Sequence, residues 1–125
     1  MKNKQHLILG AKGEDIALKY LCAKGMDLVQ RNWKTRLGEA DLIMRDGEEV
    51  VLVEVKTRRY SKFAVRHIFD NVSNNKKRKL LSLLGLYLRT YKKRFAYTPP
   101  HRIDLVGVIL NSRGEADVKY LKGAL

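Results

Sequence analysis

The stretch GEADLIMRDGEEVVLVEVKT, residues 38–57, decides the fold. It holds two apolar runs, GEADLIM over 38–44 and EVVLVEVKT over 49–57, separated by Arg45-Asp46-Gly47-Glu48. Asp-Gly between alternating apolar runs is a strong short-range hairpin signal, because glycine accepts the positive φ that tight hairpin turns need. With Asp46-Gly47 as a two-residue loop, residue i pairs with 93 − i, so position 41 faces 52 and position 39 faces 54. Side chains alternate across a strand, which places Glu39, Asp41, Glu54 and Lys56 on one face. A three-residue loop would instead put Asp41 opposite Val53 and break the cluster.

Like charges directly opposite one another destabilise a sheet. Burying unpaired carboxylates costs on the order of several kcal/mol unless positive charge compensates. Lys56 offers one positive charge. A hard divalent cation, Mg²⁺ or Mn²⁺, would offer the rest, since such ions prefer carboxylate oxygens and retain several waters. The competing reading is a structural ion pair of Glu54 with Lys56 or another basic residue, with Asp41 at a wet strand end.

Outward from the hairpin, helical spacing of Ile16, Ala17, Tyr20 and Leu21 predicts a helix over 10–24, and residues 26–34 read as a strand. Residues 58–72 lack periodicity and read as a long loop. Ser73 or Asn74 is positioned to cap a second helix running to about Tyr91, with Leu80, Leu81, Leu84, Tyr87 and Leu88 on its apolar stripe. Pro99-Pro100 breaks the chain before a buried strand over 102–110. A turn at Asn111 to Gly114 then leads to a last strand over 116–121. The order is α-β-β-β-α-β-β, an α/β protein with a mixed sheet. With 125 residues the chain has room for one domain, 1–125.

Composition narrows the function. Lys and Arg number 26 against 13 Asp and Glu, a net charge of +13, which favours a polyanionic partner such as nucleic acid. Cys22 stands alone and cannot form an intrachain disulfide, so a reducing cytoplasm fits best. The scattered His6, His67 and His101 give no zinc spacing, and no P-loop is present. The longest N-terminal apolar run, Leu7-Ile8-Leu9, is too short for a signal sequence or a membrane span.

Asp41, twelve intervening residues and then Glu54-Val55-Lys56 resembles the D…ExK core of the PD-(D/E)xK, or restriction-endonuclease-like, nucleases. Five segments in order look like the bacterial YraN family, which is similar to archaeal Holliday-junction resolvases. They are Gly10-x-x-Gly13-Glu14, Gly38-Glu39-x-Asp41-Leu42-Ile43, Val53-Glu54-Val55-Lys56-x-Arg58, Val72-x-x-x-Lys76 and Ile103-Asp104-Leu105-Val106. The resemblance implies a restriction-endonuclease-like sheet flanked by helices and metal-dependent hydrolysis of phosphodiester bonds in DNA, branched forms included. Asp41 and Glu54 would bind Mg²⁺, with the Val55 carbonyl as third ligand. Lys56 would orient or help deprotonate the attacking water and steady the phosphate. Glu14 would contribute to the metal site from its helix, although a glutamate in a first helical turn is also stabilised by the helix dipole alone. Ala40 stands where the superfamily name puts proline. Members of the wider family that bind without cutting make a non-catalytic nucleic-acid-binding or ribosome-associated protein the alternative.

Between 56 and 94 stand thirteen basic residues against one acid, Asp70. Arg58, Arg59, Lys62, Lys76, Lys77 and Lys79 are the candidate phosphate contacts, DNA being favoured over RNA. Lysines that open a helix oppose its dipole, a cost more easily understood if a phosphate arrives there. Tyr60 and Phe63 could stack on unpaired bases, but loop aromatics more often pack as a small satellite core. Ile8 to Gly13 superficially resembles a KH-domain GXXG loop, but too little chain precedes it. The leucine stripe of the second helix is better explained by packing on the sheet than by a membrane surface. Branched substrates would suit a homodimer with two active sites.

Overall fold

The structure, a computed structural model, describes residues 4–70 and 72–125. Helix α1 (Lys4–Ala23) leads into the strands β1 (Asp27–Thr35), β2 (Gly38–Asp46) and β3 (Glu49–Arg59). Helices α2 (Lys62–His67) and α3 (Asn74–Phe95) then precede β4 (His101–Leu110) and β5 (Ala116–Leu121). The five strands form one sheet in the order β1-β2-β3-β4-β5. Only β3 and β4 pair in parallel; every other neighbouring pair is antiparallel. A parallel pair requires a crossover, and α2 and α3 supply it. The mixed sheet flanked by helices and the α-β-β-β-α-β-β order both hold, with one short helix added.

That addition is α2, within the segment read as loop. Six residues are too few to show a helical period, but the cap was legible: Ser61 Oγ accepts a hydrogen bond from the Ala64 amide at 2.9 Å. Asn71, in the same segment, lies outside the described residues. Helix α3 is capped by Ser73, whose Oγ accepts from the Lys76 amide at 3.1 Å.

The sheet is covered on both faces, which is why β3 reads as a near-continuous apolar run. Ala17 and Leu21 of α1 pack on Leu42, Met44, Val51, Val53 and Val106. On the other face Leu80, Leu83 and Leu84 of α3 pack on Ile43, Val50, Leu52 and Ile103. The apolar stripe of α3 differs from expectation at two positions. Leu83 is buried, whereas Leu81 is 52% exposed because 80, 84, 87 and 91 centre the stripe and 81 lies a step around the helix.

Gly13 lets α1 lie hard against β3. A Cβ built there would stand 1.8 Å from Thr57 Oγ1, with the rest of that side chain within 2.7 Å. Gly13→Ala is therefore expected to destabilise the protein by about 1–3 kcal/mol, despite the better helix propensity of alanine. Urea denaturation would read this as a lower midpoint with an unchanged slope.

The hairpin register is corrected. Asp46 pairs with Glu49 and Leu42 with Val53, so residue i pairs with 95 − i and the loop is Gly47-Glu48. Gly47 takes φ +61 at the first loop position while Glu48 is not in the positive-φ region, the pattern of a Gly-X hairpin turn. Arg102 on β4 fixes this register from outside. It donates to Asp46 at 2.8 Å, to Glu49 at 2.9 Å and to the fully buried Asp104 at 3.0 Å. The Tyr120 hydroxyl and the Gly123 amide also donate to Asp104, at 2.5 and 2.8 Å.

Candidate active site

The corrected register brings the two principal carboxylates closer together in the fold. Extended beyond its last pair, Leu42 with Val53, it sets Asp41 opposite Glu54 rather than opposite Leu52. The ladder stops there, and Asp41 Oδ2 instead accepts a hydrogen bond from the Val55 amide at 2.8 Å. In an extended strand the carbonyl of a residue points to the same side as its amide. The Val55 carbonyl therefore faces the Asp41 side, past the end of the ladder.

A backbone irregularity lies across from Asp41 on the other neighbouring strand, β1. Asn32 in β1 takes φ 53, a left-handed conformation that asparagine tolerates better than most residues. Arg31 pairs with Leu42 and Trp33 with Ala40, leaving Asn32 and Asp41 unpaired between them. Ala40 and Ile43, an odd number of residues apart, consequently pack in the same layer. Asp41 thus sits at a kink shared by two strands.

Glu54 is buried, and its Oε1 lies 2.7 Å from Lys76 Nζ. Asp41 feels that neighbour: burial first, then the Glu54 charge, push its carboxyl up to about 7, against the pull of the Val55 amide. The charge of Glu14 adds to the same upward shift, which places all three predicted carboxylates in one electrostatic neighbourhood. Burial also raises Glu14 above its ordinary value, with Arg31 opposing. Because α1 begins at Lys4, Glu14 lies in mid-helix, and the helix-dipole explanation for it falls away.

Lys56 is half-buried, and burial together with Arg58 lowers its pKa. With Arg58 it lines a cleft of about 380 Å³ whose other walls include Glu54, Val55 and Lys76. The other predicted cations, Arg59, Lys62, Lys77 and Lys79, are not among its walls and are exposed, as is Arg58, whereas Lys76 is engaged by Glu54. A buried carboxylate thus answers the helix-opening charge of Lys76.

Glu39 has no partner on β3, because the β2–β3 ladder ends at Leu42 with Val53, and it pairs instead with Lys34 of β1. It is tied to Glu14 through a residue that sequence reasoning missed. With its amide nitrogen turned toward the carboxylates, Asn32 donates to Glu14 Oε1 and Glu39 Oε1, each at 3.0 Å. Arg31, also missed, lies 3.5 Å from Glu14 and 2.5 Å from Asp15. Both residues sit in a strand that shows no motif, so only the left-handed tolerance of asparagine hinted at the kink.

Among the described residues no three His, Cys, Asp or Glu side chains are gathered tightly enough to hold a metal by themselves. The donor set nevertheless fits Mg²⁺, which is commonly held by one or two carboxylates and retains its waters. Two neighbouring carboxylates, one of them driven toward protonation by burial and then by the charge of the other, form a site that a hard cation would relieve.

Fold and site together define a mixed α/β protein in which neighbouring carboxylates, Asp41 and Glu54, sit past the end of the β2–β3 ladder, with Glu54 on the wall of a cleft that Lys56, Arg58 and Lys76 also line. The sequence model of the Uncharacterised protein family UPF0102 matches residues 13–108, and the chain belongs to that family, as the YraN resemblance implied. Similar proteins are a UPF0102 protein of Arthrobacter sp. (strain FB24), 36% identical over 93% of this chain and 94% of its own length, and one of Beutenbergia cavernae, 40% identical over 92% and 93%. A UPF0102 protein of Clavibacter michiganensis is 39% identical over 93% of this chain and 94% of its own.

Proposed function

We propose that this protein is a metal-dependent endonuclease that hydrolyses phosphodiester bonds in DNA. The observation that carries the reading is the Asp41–Glu54 pair, two carboxylates at the end of a ladder with Asp41 pushed up to about 7, beside Lys56 in a protein of net charge +13. Asp41, Glu54 and the Val55 carbonyl would hold Mg²⁺ or Mn²⁺, with Glu14 at the edge of the site. Such an ion, when bound, acidifies a water and offsets charge on the transferring phosphate.

The side chains of the chain itself do the rest. Lys56, its pKa lowered by burial, spends more of its time able to accept a proton from an attacking water than an ordinary lysine does. In its charged form it donates to a phosphate oxygen. The exposed cations around the cleft hold the DNA backbone without reading its sequence. Lys76, which pairs with Glu54 at 2.7 Å, would be available to the same backbone if that carboxylate served as a metal ligand.

The test is cleavage of labelled single-stranded, duplex, flap and four-way-junction DNA with Mg²⁺ or Mn²⁺, wild type beside Asp41→Asn. Cutting by the wild type alone is expected, with the variant at background. A second reading, binding without cutting, is favoured by the Lys76–Glu54 contact at 2.7 Å, which satisfies one carboxylate without a metal. Intact binding with no cutting by either protein would select it.

Charge reversal tests the backbone track. Lys77→Glu with Lys79→Glu should weaken DNA binding and make the slope of log affinity against log salt shallower by about 1–2. An unchanged slope would place the track elsewhere on the surface.

A further inference from the structure

We infer that the cleft beside the carboxylates is a stacking platform for an unpaired nucleic-acid strand, which makes single-stranded segments the preferred substrate. The inference deepens the nuclease reading and rests on it for the fate of the strand, though not for its binding. The satellite-core reading of the loop aromatics fails in the structure. Phe63 is 71% exposed and Tyr60 60% exposed. Both stand where the chain leaves β3 and enters α2.

The second observation is continuity. Phe63 lines a cleft of about 370 Å³ whose walls include Lys56, Arg58 and Arg59. Lys56 and Arg58 also line the neighbouring cleft that contains Glu54 and Val55. The Phe63 ring, a wall of three cations with Asp70 beside it, and Glu54 of the carboxylate pair therefore follow one another along neighbouring clefts that share Lys56 and Arg58. The volume falls in the ordinary range for small-ligand sites, suited to a nucleotide or two.

The platform is held in place. The Val65 carbonyl of α2 accepts a hydrogen bond from Lys119 Nζ of β5. Ile68 packs over Gly107, where an added Cβ would come within 2.9 Å of it. His67, itself paired with Asp70 at 2.5 Å, packs against the Phe63 ring at 4.6 Å between centroids. Phe63 thus offers a fixed π-face next to positive charge. A base in a duplex has both faces covered by its neighbours and its phosphates tracked by cations alone. A base in a single strand can stack, and base–aromatic stacking is tolerant of sequence.

The test is equilibrium binding, in chelator and at fixed salt, of fluorescein-labelled oligothymidine and of a hairpin duplex of the same charge. Because Phe63 and Tyr60 are exposed, Phe63→Ala with Tyr60→Ala should leave the melting temperature unchanged. Binding of oligothymidine should weaken about tenfold or more, and duplex binding less than about threefold. Phe63→Trp should retain single-strand binding, and Phe63→Leu, which keeps apolar bulk without a π-face, should lose it. Equal losses on both probes, or a loss below about threefold on oligothymidine, would overturn the proposal. Cleavage plays no part in this measurement, so a protein that prefers single strands yet never cuts would sink the nuclease reading alone.

Discussion

Asp41→Asn is expected to stabilise the metal-free protein above neutral pH while removing the cleavage activity proposed for it. The Asp41 carboxyl is raised from an ordinary 3.8 to about 7, by burial and then by Glu54. Between those two values the folded protein retains a proton that the unfolded chain has released. Stability of the metal-free fold therefore falls as pH rises through this window, and the loss is complete above about 7. Asparagine does not ionise, and its side-chain oxygen still accepts the bond from the Val55 amide at that position.

The variant should gain on the order of a few kcal/mol over wild type at about pH 8, and the gain should shrink toward zero below about pH 4. Thermal denaturation in chelator across that range checks it. A variant less stable than wild type at high pH would mean that the ionised carboxylate is structurally compensated. In that case the site would have no surplus negative charge for a cation to relieve.

Removing Arg102 should produce the largest loss of stability. Asp104 is fully buried, and Arg102 is its cationic partner among the described residues, at 3.0 Å. The same guanidinium reaches Asp46 and Glu49 at the hairpin turn. Arg102→Met leaves an uncompensated buried charge, which costs about 3–5 kcal/mol. It also releases the clamp on the register that sets Asp41 opposite Glu54. Arg102→Met with Asp104→Asn should recover part of that loss, because the second substitution removes the stranded charge. Urea denaturation of the single and double variants separates the charge penalty from the lost clamp. A single variant within about 1 kcal/mol of wild type would show that Tyr120 and the Gly123 amide suffice for Asp104.

Residues 38–57 carry the hairpin, the mixed sheet and the principal carboxylates in local patterns of the sequence. Asp-Gly and alternation are local signals, and local signals carry. The register did not follow, because the choice between Asp46-Gly47 and Gly47-Glu48 as the loop was made by Arg102, which lies far along the sequence. A shift of one residue in the loop moved the partner of Asp41 from Leu52 to Glu54. Helix α2 escaped because six residues hold too little period. Asn32 escaped because a left-handed residue in mid-strand leaves no pattern. Lys76 was singled out for a phosphate, but only the packing of α3 on the sheet could reveal that Glu54 faces it.

Calorimetric titration of Mg²⁺ and Mn²⁺ into the wild type, Asp41→Asn and Glu54→Gln is the most direct test of the carboxylate pair as a metal site. Saturable binding by the wild type, weakened at least about tenfold in each variant, is the predicted result, since each carboxylate supplies a ligand. No binding by the wild type, or equal binding by all three proteins, would contradict it.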